Sequence, residues 1–262
     1  MRDFSLLKLK ELLTALRRNG FQFVRFDEYW PACKEMDRRE RVVLLRHDVD
    51  RLPAAALATA HLENGLGIRG TYFFRVKPQV FHPELIRQIH GLGHEIGYHY
   101  ENLTDADGDD RRATDYFRRD LEALRTVAPV VSAAMHSRPL SRWDNRLFWK
   151  KHSPHEFALH GEVYRDIDHQ KYFYLADSGR NWNADRTVVW DYVKGRQPPH
   201  VDGTDGLIAL LNKGELPKIH LLIHPNRWPE TLPGWVLQSF SDGIINTTKR
   251  LILSVRPVPK EV

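Results

Sequence analysis

The residues able to do chemistry in this chain gather where apolar runs stop. Arg46-His47-Asp48-Val49-Asp50 follows Val42-Val43-Leu44-Leu45, which reads as a buried strand. Residues two apart share a face of an extended chain, so Asp48 and Asp50 can enter one cavity. Two carboxylates there suit a division of labour, one holding a metal and the other moving protons. The competing reading is an N-cap for the next helix, a position Asp favours. Other predicted strands end in residues of the same kind: His99 followed by Glu101 and Asn102, His136 followed by Arg138, and His224. Carboxylate oxygen with imidazole nitrogen suits zinc or another divalent first-row metal.

His94 and His99 lie five apart and so face opposite sides of a straight strand. His99, at the strand end, is the better ligand, and His94 reads as structural. His47 reads as tuning Asp48 or as packing. The segment Asp177-Ser178-Gly179-Arg180-Asn181-Trp182 has two readings. One is a turn with glycine in the left-handed position. The other is a pocket wall, with Trp182 stacking on a sugar face and Asp177 or Arg180 orienting the site.

These residues need elements to position them. Apolar spacing predicts a helix over 5–18 ending before Asn19-Gly20, then a short strand over 21–26. Pro53 opens a helix running to Asn64-Gly65. Strands are expected at 70–74, 94–99, 130–135 and 219–223, with helices at 83–90, 111–127 and 207–211. Weaker strand signals fall at 157–159 and 171–175, and 243–255 reads as helix or strand. Alternating strands and helices imply an α/β fold, a parallel sheet or barrel with helices outside; in such folds ligands bind at the carboxyl ends of strands. No linker interrupts the chain, so residues 1–262 are expected to form a single domain, with 1–40 as an N-terminal extension packed on the barrel.

Composition narrows the function classes. One cysteine, Cys33, rules out an intrachain disulfide and a cysteine-based zinc cluster. The net charge of +5 is spread among acids rather than massed in a stripe with aromatics, which argues against nucleic acid. No apolar run reaches the length of a membrane span. Met1 to Lys10 lacks the apolar core of a signal peptide, so the expected location is cytoplasmic.

Taken in order, five segments resemble the polysaccharide deacetylase family, the NodB-like carbohydrate esterases of family four. They are Arg46 to Asp50, Gly93 to His99, Arg138-Pro139-Leu140, Asp177 to Trp182, and Leu221 to His224; Gly70 to Phe74 also resembles a strand of that family. The resemblance spans roughly Val42 to Asn226. It implies a distorted (β/α) barrel of seven or eight strands and a divalent metal, zinc first, held by Asp and His. It further implies hydrolysis of an acetyl group on an amino sugar or acetylated sugar precursor. By that match Asp48 is the base, Asp50 and His99 are metal ligands, Arg138 orients Asp48, and His224 is the general acid. A backbone N–H near Tyr72 or Phe73 would face the oxyanion, and Tyr72, Asp177, Arg180 and Trp182 would contact the substrate. Leu103 stands where the family has its second metal-binding histidine. Glu101, Asn102 and His136 are the available replacements, and His136 is favoured because it lies at a neighbouring strand end and suits zinc. The resemblance and cytoplasmic location together suggest a small-molecule or lipid-linked sugar as substrate, as in branches encoded with O-antigen or capsule biosynthesis genes. Two rival readings remain open: a hydrolase of another C–N bond, such as an imide or ureide, and a non-catalytic sugar-binding homologue with a degenerate metal site.

Overall fold

The computed structural model describes residues 2–138, 141–183, 193 and 195–255. The chain runs α1 (Leu6–Arg18), β1 (Gln22–Val24), α2 (Phe26–Met36), β2 (Val42–Val49), α3 (Pro53–Gly65), β3 (Thr71–Phe74), α4 (Pro83–Gly91) and β4 (Glu95–Tyr100). It continues through α5 (Asn102–Asp105), α6 (Asp110–Arg125), β5 (Ser132–Met135), β6 (Gly161–Glu162), α7 (Val163–Asp166), β7 (Phe173–Ala176), α8 (Gly203–Lys213), β8 (Lys218–Ile223) and α9 (Leu232–Val255).

The strands form one sheet in the order β6-β5-β4-β3-β2-β8-β7, and β1 also pairs with β2. Every pairing is parallel. All strand ends that carry polar residues therefore open on the same side. Among the described residues β6 and β7 do not pair with each other, so the barrel is open along one seam. This is a distorted (β/α) barrel with its helices outside.

Strand β2 organises the fold because it is buried along its whole length. Its register places Arg46 to Val49 against β3 and Val42 to His47 against β8. One outer layer packs Ala56 and Ala60 of α3, Ile86 and Ile89 of α4, and Phe117 and Leu121 of α6 against alternate strand residues such as Tyr72 and Ile96. Leu9, Leu12, Leu13 and Leu16 of α1 cover Val43, Leu45 and Leu221 together with Leu207 and Leu211 of α8. Their four-residue periodicity buries one stripe of α1, and truncating the fully buried Leu12 to Ala should cost about 2–5 kcal/mol.

The first forty residues do more than pack on the barrel. Gln22 to Val24 add a strand beside Val42 to Leu44. Phe26 and Tyr29 of α2 then enter the core formed with Val42, Leu44, Phe73 and Tyr172. Above that plug, Phe73 lies over Gly97; a Cβ at Gly97 would meet its ring at 2.3 Å, so glycine is required one layer below His99. The weak strand signal at 157–159 is not a strand. Ser153 and Glu156 form a capping box on a 3₁₀ turn over Pro154–Phe157, and Ala158 follows in the left-handed region at φ 52°. Residues 243–255 lie within α9.

Candidate active site

Asp48 and Asp50 lie on one face at the end of β2, as their spacing requires. His99 comes from β4, His136 from the chain just after β5, and His224 from the chain just after β8. One ligand atom from each of Asp50, His99 and His136 lies within 4.8 Å of the others. His99 Nε2 is 3.3 Å and His136 Nε2 is 3.4 Å from Asp50 Oδ1.

The tautomers follow from the partners on the far sides of the rings. His99 Nδ1 is 2.9 Å from the Ala134 carbonyl, which can only accept, so Nδ1 carries the hydrogen. His136 Nδ1 donates to the Glu101 carboxylate at 3.0 Å. In their neutral forms both rings turn an Nε2 lone pair toward Asp50 Oδ1, a buried oxygen with no hydrogen-bond partner. Three acceptors facing one another are relieved either by a proton on a ring or by a metal ion among them. The carboxylates and rings also stabilise one another's charged forms. Burial works to raise the Asp50 pKa, but the facing imidazoles of His136, His99 and His224 hold it well below the usual carboxylate range. Burial works to lower that of His99, and Asp48 and Asp50 more than offset it, pushing it up. The donor set of two nitrogens and one carboxylate oxygen fits a divalent metal.

Glu101 supports the ring of His136 rather than joining the ligand cluster. It is buried and also takes two bonds from Arg75, at 3.1 and 2.6 Å. Burial would raise its pKa, but His136 and Arg75 hold it below the usual carboxylate range. A carboxylate behind a ligating imidazole fixes its orientation and raises its basicity. Leu103, at the place of the family's second histidine, is buried in the apolar core.

Arg138 does not reach Asp48. It is half-exposed and lies 3.4 Å from Asp105 and 3.8 Å from Glu101. Pro139 and Leu140 of the same segment lie outside the described residues. The guanidinium that holds Asp48 belongs to Arg46, with Nε and Nη2 each 2.7 Å from its carboxylate oxygens. Arg46 is fully buried and lies against the rings of Tyr164 and Phe73. The period-two spacing that joins Asp48 to Asp50 also places Arg46 on their face, and that was the available signal.

Asp177 is buried behind His224 and does not line a pocket. It accepts from His224 Nδ1 at 2.6 Å, the His224 backbone N–H at 2.9 Å, Arg227 at 3.0 Å and Trp228 Nε1 at 2.7 Å. Burial would raise the Asp177 pKa; His224 and Arg227 lower it. His224 Nε2 then points back, 3.8 Å from Asp50 Oδ2.

Trp182, expected as a sugar platform, is buried against Phe4 and Trp228 and donates to Thr204. Its stacking partner Phe4 comes from the N-terminal segment, which no local sequence feature links to it. Arg180 sits at φ 57° over the rings of Phe4 and Trp235. Tyr72 faces the helix layer, where its hydroxyl donates to Glu63 at 2.9 Å. It occupies the alternate face of β3 from Phe73, as strand pleating requires.

No family model matches the chain, and no curated protein matches it. Among solved structures it is similar to a family 4 carbohydrate esterase from Streptomyces lividans in complex with acetate. The TM-score is 0.44 at 14% identity, covering 79% of this chain and 88% of that one. The peptidoglycan deacetylase PdaC from Bacillus subtilis gives a TM-score of 0.38 at 12% identity, covering 82% and 96%. No helix among the described residues is long and apolar enough to cross a membrane.

Proposed function

We infer that this protein is a metal-dependent hydrolase that removes an acetyl group from an amino sugar or acetylated sugar precursor. The observation that carries the reading is the convergence of Asp50 Oδ1, His99 Nε2 and His136 Nε2, flanked by one carboxylate held by an arginine and one histidine held by a carboxylate. The sugar class comes from the resemblance of the ordered sequence segments.

Asp50, His99 and His136 would hold the ion, with zinc favoured by the borderline donor set. A bound divalent ion polarises a carbonyl and lowers the pKa of water toward neutrality. Asp48 is the proposed base. Its two-point contact with Arg46 fixes the orientation of the carboxylate toward the incoming water. His99 Nε2, 3.4 Å from Asp48 Oδ2, places the base beside the ion site. His224 is the proposed acid. Its Nδ1 hydrogen is engaged by Asp177, so a proton on Nε2 is aimed into the site for the leaving amine or hydroxyl. Burial of Asp48, His99 and His224 limits competing water.

Small-molecule and lipid-linked acetylated sugars are the proposed substrates. The proposed setting is the cytoplasm, where a lone cysteine and no intrachain disulfide are in keeping with a reducing compartment. The test is metal content of untagged protein by mass spectrometry beside an Asp50→Ala variant, followed by acetate release from acetylated sugars. About one equivalent of a divalent ion, lost in the variant, is expected. Protein that takes up no zinc, cobalt or nickel, or that retains its ion without Asp50, would reject the ligand assignment.

A further inference from the structure

Asp50 and His136 come from strands that are not neighbours. In the sheet order β5-β4-β3-β2, two strands stand between them. A chain of hydrogen bonds crosses that gap at the carboxyl ends of the strands, with one residue from each. Arg75 directly follows β3 and continues the face of Thr71 and Phe73. Its Nη1 donates to the Asp50 backbone carbonyl at 3.1 Å. Its Nε and Nη2 donate to Glu101 Oε1 at 3.1 and 2.6 Å. Glu101 directly follows β4, and its Oε2 accepts from His136 Nδ1 at 3.0 Å.

A guanidinium suits this span. Its donors lie in one plane at fixed angles, so the edge that grips Glu101 also sets the direction of Nη1 toward Asp50. Its charge is matched by Glu101, so it adds little net repulsion against a cation held nearby. Beyond Asp50 the chain enters the left-handed region at Leu52, φ 52°, before α3 begins. The bond to the Asp50 carbonyl holds the backbone where it leaves the strand for that turn. Lys77 supplies a comparison. Its Nζ is 3.4 Å from the same Glu101 oxygen and 2.6 Å from Asp105, and among the described residues it makes no bond to the chain at Asp50.

We propose that Arg75 is a positioning residue for the ion site. It fixes the Asp50 main chain and, through Glu101, the His136 ring at one spacing, so that the two ligand atoms converge before an ion arrives. This rests on the ligand set proposed above. Arg75 has no lone pair to offer a metal and acts through Asp50 and Glu101.

The test is competition titration with zinc and the visible spectrum of bound cobalt, on the full chain and on Arg75→Met, Arg75→Lys and Lys77→Met variants. Arg75→Met should weaken zinc binding by about 10–100-fold. Arg75→Lys keeps a charge facing Glu101 but loses the fork, and its affinity should fall between the wild type and Arg75→Met. Lys77→Met should weaken binding by less than about fivefold. The cobalt spectrum follows ligand number and geometry, so it should change in Arg75→Met and stay that of the wild type in Lys77→Met. Melting temperatures of the metal-free proteins identify any misfolding; should Arg75→Met melt lower, Arg75→Lys against Lys77→Met carries the comparison. Wild-type affinity and spectrum in both Arg75 variants, or a larger loss from Lys77→Met, would overturn the proposal and leave the ligand set standing. A wild type that binds neither zinc nor cobalt would reject the ligand set itself, and the positioning role with it.

Discussion

Two histidine–carboxylate clusters are built from the same strands, one on each face of the sheet. On the outer face His47 of β2, Tyr72 of β3 and His94, just before β4, surround Glu63 of α3. On the inner face Asp48 and Asp50 from the end of β2 meet His99 of β4 and His136. The residue types are similar, and the difference lies in what is already satisfied. His94 Nδ1 accepts from the Gly70 N–H at 3.1 Å while its Nε2 faces the Ala60 carbonyl at 3.2 Å. His47 stacks on Tyr72 at 4.0 Å with its Nδ1 3.3 Å from the Thr71 carbonyl and its Nε2 2.7 Å from Glu63. His47 and Tyr72 both reach Glu63 within 2.9 Å, so the outer cluster is closed by short contacts and is a structural clasp between α3 and the sheet. The inner cluster points two imidazole nitrogens and a bare carboxylate oxygen at one another. Residue type does not separate a site from a clasp; the convergence of three potential ligand atoms, from Asp50, His99 and His136, does.

The contrast is most exposed to attack through the proposed base. Asp48→Asn should retain metal and lower kcat for acetate release by about 10²–10⁴-fold, measured with a substrate that the wild type turns over. Retained full activity would remove Asp48 from its role. Next come the two supporting glutamates. Glu101→Gln should weaken metal affinity by about 10–100-fold in a competition titration, because the carboxylate behind His136 is lost. Glu63→Gln should leave affinity and acetate release unchanged while lowering unfolding stability by about 1–3 kcal/mol in a denaturant melt. Equal effects of the two variants on metal would erase the distinction between the clusters.

The two arginines give a smaller contrast. Arg138→Ala should change kcat by less than about threefold, since an exposed pair contributes little, whereas Arg46→Lys should lower kcat by replacing a two-point fork with a point charge. The reverse order in steady-state kinetics would restore the sequence expectation.

The smallest effect concerns Glu95, on the inner face below the site. Burial, with Asp27 adding to it, pushes its pKa from 4.5 up to about 7. The folded protein therefore holds a proton that the unfolded chain releases above pH 4.5. Stability should fall as pH rises from that value to about 7 and level off above it. Glu95→Gln should flatten that slope in pH-dependent melts; an unchanged slope would show that the group is ionised throughout.

Much of this architecture was legible in the sequence, because strand ends and period-two faces are local properties. The sheet strands from Val42 to Met135 and the convergence of Asp48, Asp50, His99 and His136 follow from alternation and from parallel topology. The errors came where a long-range partner decides a residue's surroundings. Trp182 reads as a platform until Phe4 and Trp228 close over it. Tyr72 was placed by its position near a strand end, without regard to which face its ring takes. Arg138 was assigned by its order among the resembling segments, while Arg46, two residues from Asp48 on the same strand, already occupied that carboxylate.

The unequal standing of the strands has a kinetic consequence. Asp50 directly follows β2, which is hydrogen-bonded on both edges, whereas His136 follows β5, whose outer neighbour β6 has only two residues. Local opening begins where a sheet has least to break. On the ligand set proposed above, fraying of that short edge would carry His136 away while Asp50 and His99 stay in place. Ion exchange would then be gated by the breathing of two residues at the border of the sheet rather than by global unfolding.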